Sequence, residues 1–302
     1  MMLNRLLSGL VGIFAGILYC INVVFWPVLL FLTAFLRALV PIPAWRRFFT
    51  RMMYLLPPCW IDGNNFIINL TTRIAWDIQG IDDLKKDDWY LMISNHQSWI
   101  DILILQRIFN RKIPILRFFM KKQLLWSLPF AAWACWLLDF PFMERHGKEA
   151  LAKNPLLKGK DTETTRKACA KFKNIPTAVI NFVEGTRFTK QKHKRQSSPY
   201  HYLLRPKAGG IAFTLSAMGE YFQHVLDVTI VYPEKPINAW DFFSGKVHKI
   251  VVRVRTLPIS ALPIGDYEND RAYRAQFQTW LNQLWADKDQ QIANIYQVSQ
   301  RN

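Results

Sequence analysis

An apolar segment near the start of the chain places the strongest constraint on the fold. Residues 6–36 contain no charged side chain. The segment exceeds the roughly 20 residues that a membrane-spanning helix needs and is shorter than two full spans. Because Asn22 and Pro27 interrupt it, two architectures remain open: one tilted span with a kink at Pro27, or two short helices that dip into one leaflet and return. A cleaved signal peptide is disfavoured, since the run is too long and has no clear small-residue cleavage site.

Basic residues follow this segment closely, at Arg37, Arg46, Arg47 and Arg51. Arginines beside a spanning segment favour the cytoplasmic side of a membrane. We therefore expect residues 1–40 to anchor the protein, with the chain that follows on the cytoplasmic side. Residues 41–73 are predicted to form an interfacial connector, with an amphipathic helix around residues 45–56.

Composition narrows the class of partner. The chain has 302 residues, of which 51% are hydrophobic, and a net charge of +17. A chain that is both apolar and basic suits an anionic membrane surface or a nucleic acid. The four cysteines have no CxxC spacing, which disfavours a zinc site or a disulfide framework and favours a reducing compartment.

The remaining residues, 74–302, have the pattern of an α/β domain, with a central, mixed but mostly parallel sheet flanked by helices. Apolar runs typical of strands lie at 74–78, 89–94, 113–119, 140–145, 177–183, 225–232 and 247–254. Helical periodicity follows Asp101 and recurs at 161–172, 211–218 and 266–290. The apolar stripe on the last helix is interpreted as core or membrane-facing packing. The basic run at 190–195 is interpreted as a solvated loop with no catalytic role.

The stretch 94–101 carries the main chemical signal. His96 follows an apolar strand pattern directly, and Asp101 comes five residues later, where helical periodicity begins. The two side chains meet only if His96 lies in the turn before the helix and Asp101 reaches back from its first turn. The carboxylate then holds one ring nitrogen and leaves the other free to accept a proton. A capping or core histidine with an exposed acid is the alternative.

Glu184-Gly185-Thr186-Arg187 follows another strand pattern. The glycine permits a tight turn, and the planar guanidinium of Arg187 suits a phosphate. A simple turn is the alternative. Lys121 and Lys207 each lie near a predicted strand end or helix start, where a phosphate is favoured.

Together these motifs resemble the lysophosphatidic acid acyltransferase superfamily, the PlsC-like glycerophosphate acyltransferases, and are similar to its proteobacterial YihG-type branch. NHQSWID resembles the first motif, with His96 and Asp101 in the catalytic places. FVEGTRF resembles the third, with Glu184, Gly185, Thr186 and Arg187 in substrate-binding places. KKQLLWSLP and PKAGG resemble two lysine segments and point to Lys121 and Lys207.

Two motifs depart from the family pattern. The second is LDFPFMER, which lacks the usual glycine, so that Arg145 is its main substrate-binding residue. The fourth is LDVTIVYP, in which Pro233 comes late. Both departures lie where the acceptor head group is expected, which leaves the acceptor open.

The resemblance implies a glycerol-3-phosphate acyltransferase-like fold and transfer of a fatty acyl group from acyl-CoA or acyl carrier protein to a lysophospholipid hydroxyl. The acceptor it favours is 1-acyl-glycerol-3-phosphate, and lysophosphatidylglycerol is an alternative. His96 is the implied base, backbone amides near Gly185 the implied oxyanion site, and no metal or cofactor is implied. The implied location is the bacterial inner membrane, with the site facing the cytoplasm.

Two other classes of function compete with this one. A catalytically silent lipid-binding protein would account for the apolar and basic composition, although His96 and Asp101 argue against it. A nucleic-acid-binding membrane protein would account for the charge, but the sequence has no recognisable nucleic-acid-binding motif. We therefore expect lipid partners and no nucleic acid.

Overall fold

The computed structural model describes residues 2–143, 175–234, 237–263, 265–267 and 269–301. Its helices are α1 Met2–Leu39, α2 Pro43–Thr71, α3 Asp101–Phe109, α4 Leu124–Ser127, α5 Pro129–Leu137, α6 Lys190–Gln196, α7 Ala208–Met218, α8 Ala239–Phe243 and α9 Arg271–Arg301. Its strands are β1 Ala75–Gln79, β2 Tyr90–Ser94, β3 Leu116–Phe118, β4 Met120–Lys121, β5 Phe142–Met143, β6 Ala178–Phe182, β7 His224–Val231 and β8 Lys249–Pro258.

The main sheet has the strand order β1-β8-β7-β2-β6-β3 in the described part of the chain. Only the β7–β8 pairing is antiparallel there, which confirms the predicted mixed, mostly parallel sheet flanked by helices. Strands β6 and β7 both run parallel to the central strand β2. Their carboxyl ends therefore meet at one edge, where the segments beginning at Asn95, Val183 and Tyr232 emerge side by side.

Each face of this sheet covers a separate hydrophobic core. Alternate residues of β2, such as Met92 and Leu91, point to opposite faces. Met92 packs in a core that includes α3 and residues of α1 and α2. Leu91 packs in a core formed with α7 and α9. The long N-terminal helices therefore cover one face, and the C-terminal helix covers the other.

The C-terminal helix α9 is fixed to β7 by a buried lysine. Lys288 Nζ donates to the carbonyl of Val228 at 2.7 Å and to Thr229 Oγ1 at 2.9 Å, and lies 2.6 Å from Asp227 Oδ1. Burial lowers the pKa of Lys288, while Asp227 favours its charged form. The stripe predicted as core or membrane-facing belongs to the core, where Phe277, Leu281, Leu284 and Trp285 are buried.

A polar clamp joins α1 to α2. Asn22 Nδ2 donates to the carbonyl of Trp60 at 3.0 Å and to Asn64 Oδ1 at 2.9 Å, while Trp26 Nε1 donates to Asn22 Oδ1. Gly63 permits this approach, because a Cβ atom there would lie 2.3 Å from Asn22 Oδ1. Asn22, which interrupts the apolar run, thus makes the polar contacts that join the two helices.

Helix α1 decides between the two architectures left open for residues 6–36. These residues lie within one continuous helix that includes Pro27, so the alternative of two short helices within them is wrong. The helix is long and apolar enough to cross a membrane. Helix α2 continues through Pro57 and Pro58 and is longer than the predicted amphipathic segment. The division of the chain at residues 40 and 73 stays a prediction.

Four local predictions are wrong or lie outside the described residues. The basic run at 190–195 is helix α6, because Thr189 caps it by accepting a hydrogen bond from the Lys192 amide. The strand predicted at 113–119 is only β3, and the last helix begins at Arg271 rather than at 266. The helix predicted at 161–172 lies outside the described residues.

The clamp predicts that Gly63→Ala weakens α1–α2 packing. The new methyl group displaces Asn22 and leaves buried amide groups unpaired, which costs about 1–3 kcal/mol. The melting temperature of the protein in detergent should therefore fall. Gly16→Ala in α1 is the matched control, since no atom lies within 4 Å of its added Cβ. An equal effect of the two substitutions would contradict the clamp.

Candidate functional site

His96 and Asp101 meet at the junction of β2 and α3, as their spacing predicts. Strand β2 ends at Ser94, and Asp101 is the first residue of α3. His96 lies in the turn between them, with Nδ1 2.8 Å from Asp101 Oδ2. When the ring is neutral and Nδ1–H donates a hydrogen bond to this carboxylate, Nε2 has a free lone pair. The side chain of His96 is 13% exposed, whereas that of Asp101 is fully buried.

The Asp101 carboxylate is held by several donors in addition to His96. Oδ2 accepts from the backbone amides of Gln97 at 2.6 Å and Ser98 at 2.9 Å. Oδ1 accepts from the hydroxyl of Tyr232, which follows β7 and is fully buried. Burial and the charge of Asp101 raise the pKa of Tyr232, which keeps the hydroxyl protonated as a donor.

Neighbouring strands fix the histidine loop. Asn95 exchanges two hydrogen bonds with the backbone of Ile230 on β7, at 2.8 and 2.9 Å. The ring of His96 stacks on Phe182 at the end of β6, with centroids 4.1 Å apart. The Phe188 amide donates to the carbonyl of His96 at 2.7 Å. The loop is therefore held from both sides of β2.

The turn after β6 brings the predicted residues Gly185, Thr186 and Arg187 close to this loop. Gly185 has φ +68°, a conformation that side chains rarely adopt. A Cβ atom there would lie 3.3 Å from Lys207 Nζ, so the lysine ammonium lies directly above the turn. The Gly185 amide donates to the carbonyl of Phe182 at 2.8 Å. This amide is thus engaged within the turn, and an oxyanion site formed by the amides near it stays a prediction.

Arg187 is oriented by an exposed tryptophan of the histidine loop. Its Cζ atom lies 4.3 Å from the centroid of the Trp99 ring, a cation–π contact. Lys192 of α6 donates to Thr186 Oγ1 at 2.7 Å and to the carbonyl of Arg187 at 3.0 Å. The guanidinium of Arg187 and the ammonium of Lys207 therefore both lie beside a braced turn that hydrogen-bonds to the His96 loop.

Glu184, predicted from the family motif as a substrate-binding residue, lies inside the fold. Its side chain is fully buried, and neither carboxyl oxygen makes a well-formed hydrogen bond to the described residues. Burial raises the pKa of Glu184 well above its usual value, although the nearby amides of His96 and Leu204 favour the charged form. The carboxyl group lies behind the His96 backbone, which suits a structural role more than contact with a substrate.

The side chains of two predicted phosphate ligands, Lys121 and Arg145, lie outside the described part of the structure. The backbone of Lys121 lies in β4, which pairs with β5 beside Met143. Arg145 lies outside the described residues. Their assignment as substrate-binding residues stays a prediction. Among the described residues, no group of three His, Cys, Asp or Glu side chains could hold a metal ion.

His96 lines an apolar cavity. Its volume is about 660 Å³, within the range of roughly 300–1,000 Å³ that is usual for ligand sites. It extends from the His96–Phe182 stack between the sheet and the N-terminal helices. The residues that line it come from the sheet and from the helices around it and include Trp26, Ile61, Ile102, Phe118, Ala134 and Phe182.

Comparison with known proteins agrees with this geometry. Residues 75–233, more than half of the chain, match the Acyltransferase family. The chain belongs to the Acyltransferase family. The matched region begins at β1 and ends just after Tyr232, so it contains His96, Asp101 and the turn after β6.

Individual relatives are more distant. The chain is 27% identical to 1-acyl-sn-glycerol-3-phosphate acyltransferase 3 of Arabidopsis thaliana, over 68% of this chain and 53% of that protein. It is 22% identical to lysophosphatidylinositol acyltransferase 10 of Caenorhabditis elegans, over 98% of this chain and 74% of that protein. The chain thus spans about half the length of the plant relative.

A solved structure shares the fold. The 1-acyl-sn-glycerophosphate acyltransferase PlsC from Thermotoga maritima superposes with a TM-score of 0.51 at 17% identity, covering 94% of this chain and 98% of that one. This likeness supports the Acyltransferase fold, including the placement of helices around the mixed sheet. The proteobacterial branch is not resolved by these relatives.

Three residues that brace the site were not identified from the sequence. Tyr232 lies at the carboxyl end of a predicted strand, which was a usable signal, but its contact with Asp101 spans 131 positions. Lys192 lies in the run interpreted as a solvated loop. Trp99 lies inside the NHQSWID motif, where only His96 and Asp101 were assigned roles.

A protonated Glu184 predicts a pH-dependent effect of Glu184→Gln. The unfolded carboxyl group ionises near its usual pKa of 4.5, whereas the folded group holds its proton to higher pH. The wild-type protein therefore loses stability as pH rises above that value, until the folded group also ionises. Glutamine has no such loss, so the melting temperature of the variant should gain on the wild type as the pH rises above about 5. A difference independent of pH would contradict a protonated Glu184.

Proposed function

We propose that this protein is a membrane-bound O-acyltransferase. It moves a fatty acyl group from acyl-CoA or acyl carrier protein to the free hydroxyl of a lysophospholipid. The observation that carries this proposal is that His96, paired with Asp101, lines an apolar cavity. A general base in the wall of a largely apolar space suits a substrate with one reacting polar end and a long apolar chain.

The proposed reaction needs one base and no enzyme nucleophile. His96 Nε2 takes the proton of the acceptor hydroxyl as the oxygen attacks the thioester carbonyl carbon. The resulting tetrahedral species collapses with cleavage of the carbon–sulfur bond, and the thiolate leaves with the proton from the imidazolium. Asp101 keeps the ring in the required tautomer and stabilises its positive charge.

The acceptor phosphate is assigned to the cations beside this base. Arg187 and Lys207 lie beside the braced turn that hydrogen-bonds to the His96 loop, and a planar guanidinium suits bidentate contact with phosphate. Lys121 and Arg145 are proposed as further phosphate ligands from the family motifs. Glu184 supports the turn from inside the fold, and Gly185 and Thr186 set its shape.

The favoured acceptor is 1-acyl-glycerol-3-phosphate, which would give phosphatidic acid. The name of the plant relative supports this choice. The nematode relative acts by name on lysophosphatidylinositol and aligns with nearly the whole chain, which supports an acceptor with a larger head group as the second candidate. Lysophosphatidylglycerol belongs to that second class. An acceptor panel with labelled acyl-CoA distinguishes the two classes.

The proposed location is the inner membrane of a bacterium, with the site facing the cytoplasm. Helix α1 is long and apolar enough to span a bilayer, and arginines cluster after it. A membrane location gives the site direct access to lipid substrate and product. We also propose that the chain belongs to the proteobacterial YihG-type branch, on the motifs quoted above.

His96→Ala tests the proposal most simply. Loss of the base should lower the rate of acyl transfer by a factor of about 10² to 10⁴, with an unchanged melting temperature. Asp101→Asn should be severely impaired too, since an amide no longer selects the required tautomer. Product lipid and released thiol are both measured. A catalytically silent lipid-binding protein would form neither.

The matched control is His248→Ala, which removes a largely exposed histidine that pairs with Glu234 at the surface. It should keep wild-type activity. Near-full activity of His96→Ala in the same assay would show that another group removes the hydroxyl proton.

Arg187→Lys tests the phosphate assignment. Lysine keeps the charge but loses the planar fork, so the KM for the lysophospholipid should rise several-fold while the KM for acyl-CoA changes little. Arg205→Lys is the control, because Arg205 binds only the backbone of Ser197 and the Gln196 side chain in the described structure. A higher KM for acyl-CoA alone would assign Arg187 to the donor phosphates instead.

A further inference from the structure

Helices α4 and α5 present an unusual surface. Five large apolar side chains on or beside them are about half exposed or more: Trp126, Leu128, Phe130, Trp133 and Trp136. Trp126 is 82% exposed. We call these five residues the tryptophan face. Contiguous exposed apolar surfaces of this kind mark sites of interaction with another molecule or a membrane.

The opposite side of α5 forms a wall of the cavity. Ala131, Ala134, Cys135 and Leu138 line the cavity and recur at the spacing of one helical face. Phe130, Trp133 and Trp136 lie on the other face of the same helix. Helix α5 alone therefore separates the cavity from the surroundings of the tryptophan face. Most of its cavity-facing side chains are small.

Helix α5, which carries three residues of the tryptophan face, packs directly on α1. Leu138, just after α5, packs with Leu30 of α1 and Met53 of α2 in a small core of their own. Helix α1 exposes leucine, isoleucine and phenylalanine side chains along its length and is the described helix that could span a membrane. The tryptophan face therefore lies on a helix that packs against this candidate span.

Charge favours a lipid surface as the occupant. No acidic residue occurs before Asp62, and none occurs between Asp101 and Asp139. Residues 123–138 carry no charge at all and follow Lys121 and Lys122. Tryptophan side chains favour the boundary between lipid head groups and hydrocarbon, and lysines favour anionic head groups.

We propose that the tryptophan face lies in the head-group region of an anionic bilayer and that α5 is the wall crossed by an acyl chain moving laterally from the bilayer to the cavity. The first part stands on exposure, charge and the packing of α5 on α1. The second part also rests on the proposed acyltransferase function. Helix α5 then acts as a side entrance, so that a lipid chain does not have to pass through water to reach His96.

Photocrosslinking of the full-length protein tests the first part. Benzoylphenylalanine replaces Trp126 or Phe130 in protein reconstituted into vesicles of phosphatidylcholine and phosphatidylglycerol, and lipid adducts are detected by mass spectrometry. Position 32 on α1 is the positive control, and position 298 on α9 the negative control, since Leu32 and Val298 are similarly exposed but Val298 lies on the opposite side of the sheet. Adducts at 126 and 130 are expected. Adducts at 32 but not at 126 or 130 would overturn the proposal.

Kinetics test the second part. Trp126→Glu should raise the KM for a long-chain lysophospholipid in vesicles several-fold and leave the KM for a short-chain, water-soluble acceptor unchanged, whereas Val298→Glu should alter neither. Equal effects on both acceptors would overturn the side entrance. Failure of the wild type to acylate either acceptor refutes the proposed function instead, and the crosslinks still decide the membrane face.

Discussion

The carboxylate of Asp101 is the contact on which the site geometry depends. It accepts hydrogen bonds from the turn before α3, from His96 and from Tyr232 after β7. A buried carboxylate without these donors would lose more free energy in desolvation than the fold can readily supply. The same contacts that make burial of the charge tolerable also fix the imidazole, so that stability and orientation arise from one arrangement.

The two sides of the sheet serve different purposes. On one side, α1, α2 and α5 surround an apolar cavity that His96 lines. On the other, α7 and α9 form a closely packed core, to which Lys288 adds hydrogen bonds with β7. Tyr232 directly follows β7 and packs in the core on the first side, where its hydroxyl holds the Asp101 carboxylate. The open side is left free to accept a chain.

Local patterns predicted the sheet and the histidine–aspartate pair, because a change from strand to helical periodicity marks the turn in which His96 lies. Long-range contacts could not be read in the same way. The reach of Tyr232 to Asp101 and the burial of Glu184 depend on which strands become neighbours. Helix α2 continues through Pro57 and Pro58 because packing on α1 and the Asn22 clamp override a local helix-breaking signal. The basic run at 190–195 is helical because Thr189 caps it.

The effect of Tyr232→Phe on acyl transfer tests most directly the central claim, that Asp101 holds the His96 ring in its working orientation. Removal of the hydroxyl deprives the buried carboxylate of one donor and leaves His96 and the turn amides as its partners. Because a less firmly held carboxylate orients the imidazole less well, kcat should fall by about tenfold or more while the KM values for both substrates change little. An unchanged kcat in a Tyr232→Phe protein with a wild-type melting temperature would contradict the dependence of His96 on the contact between Tyr232 and Asp101.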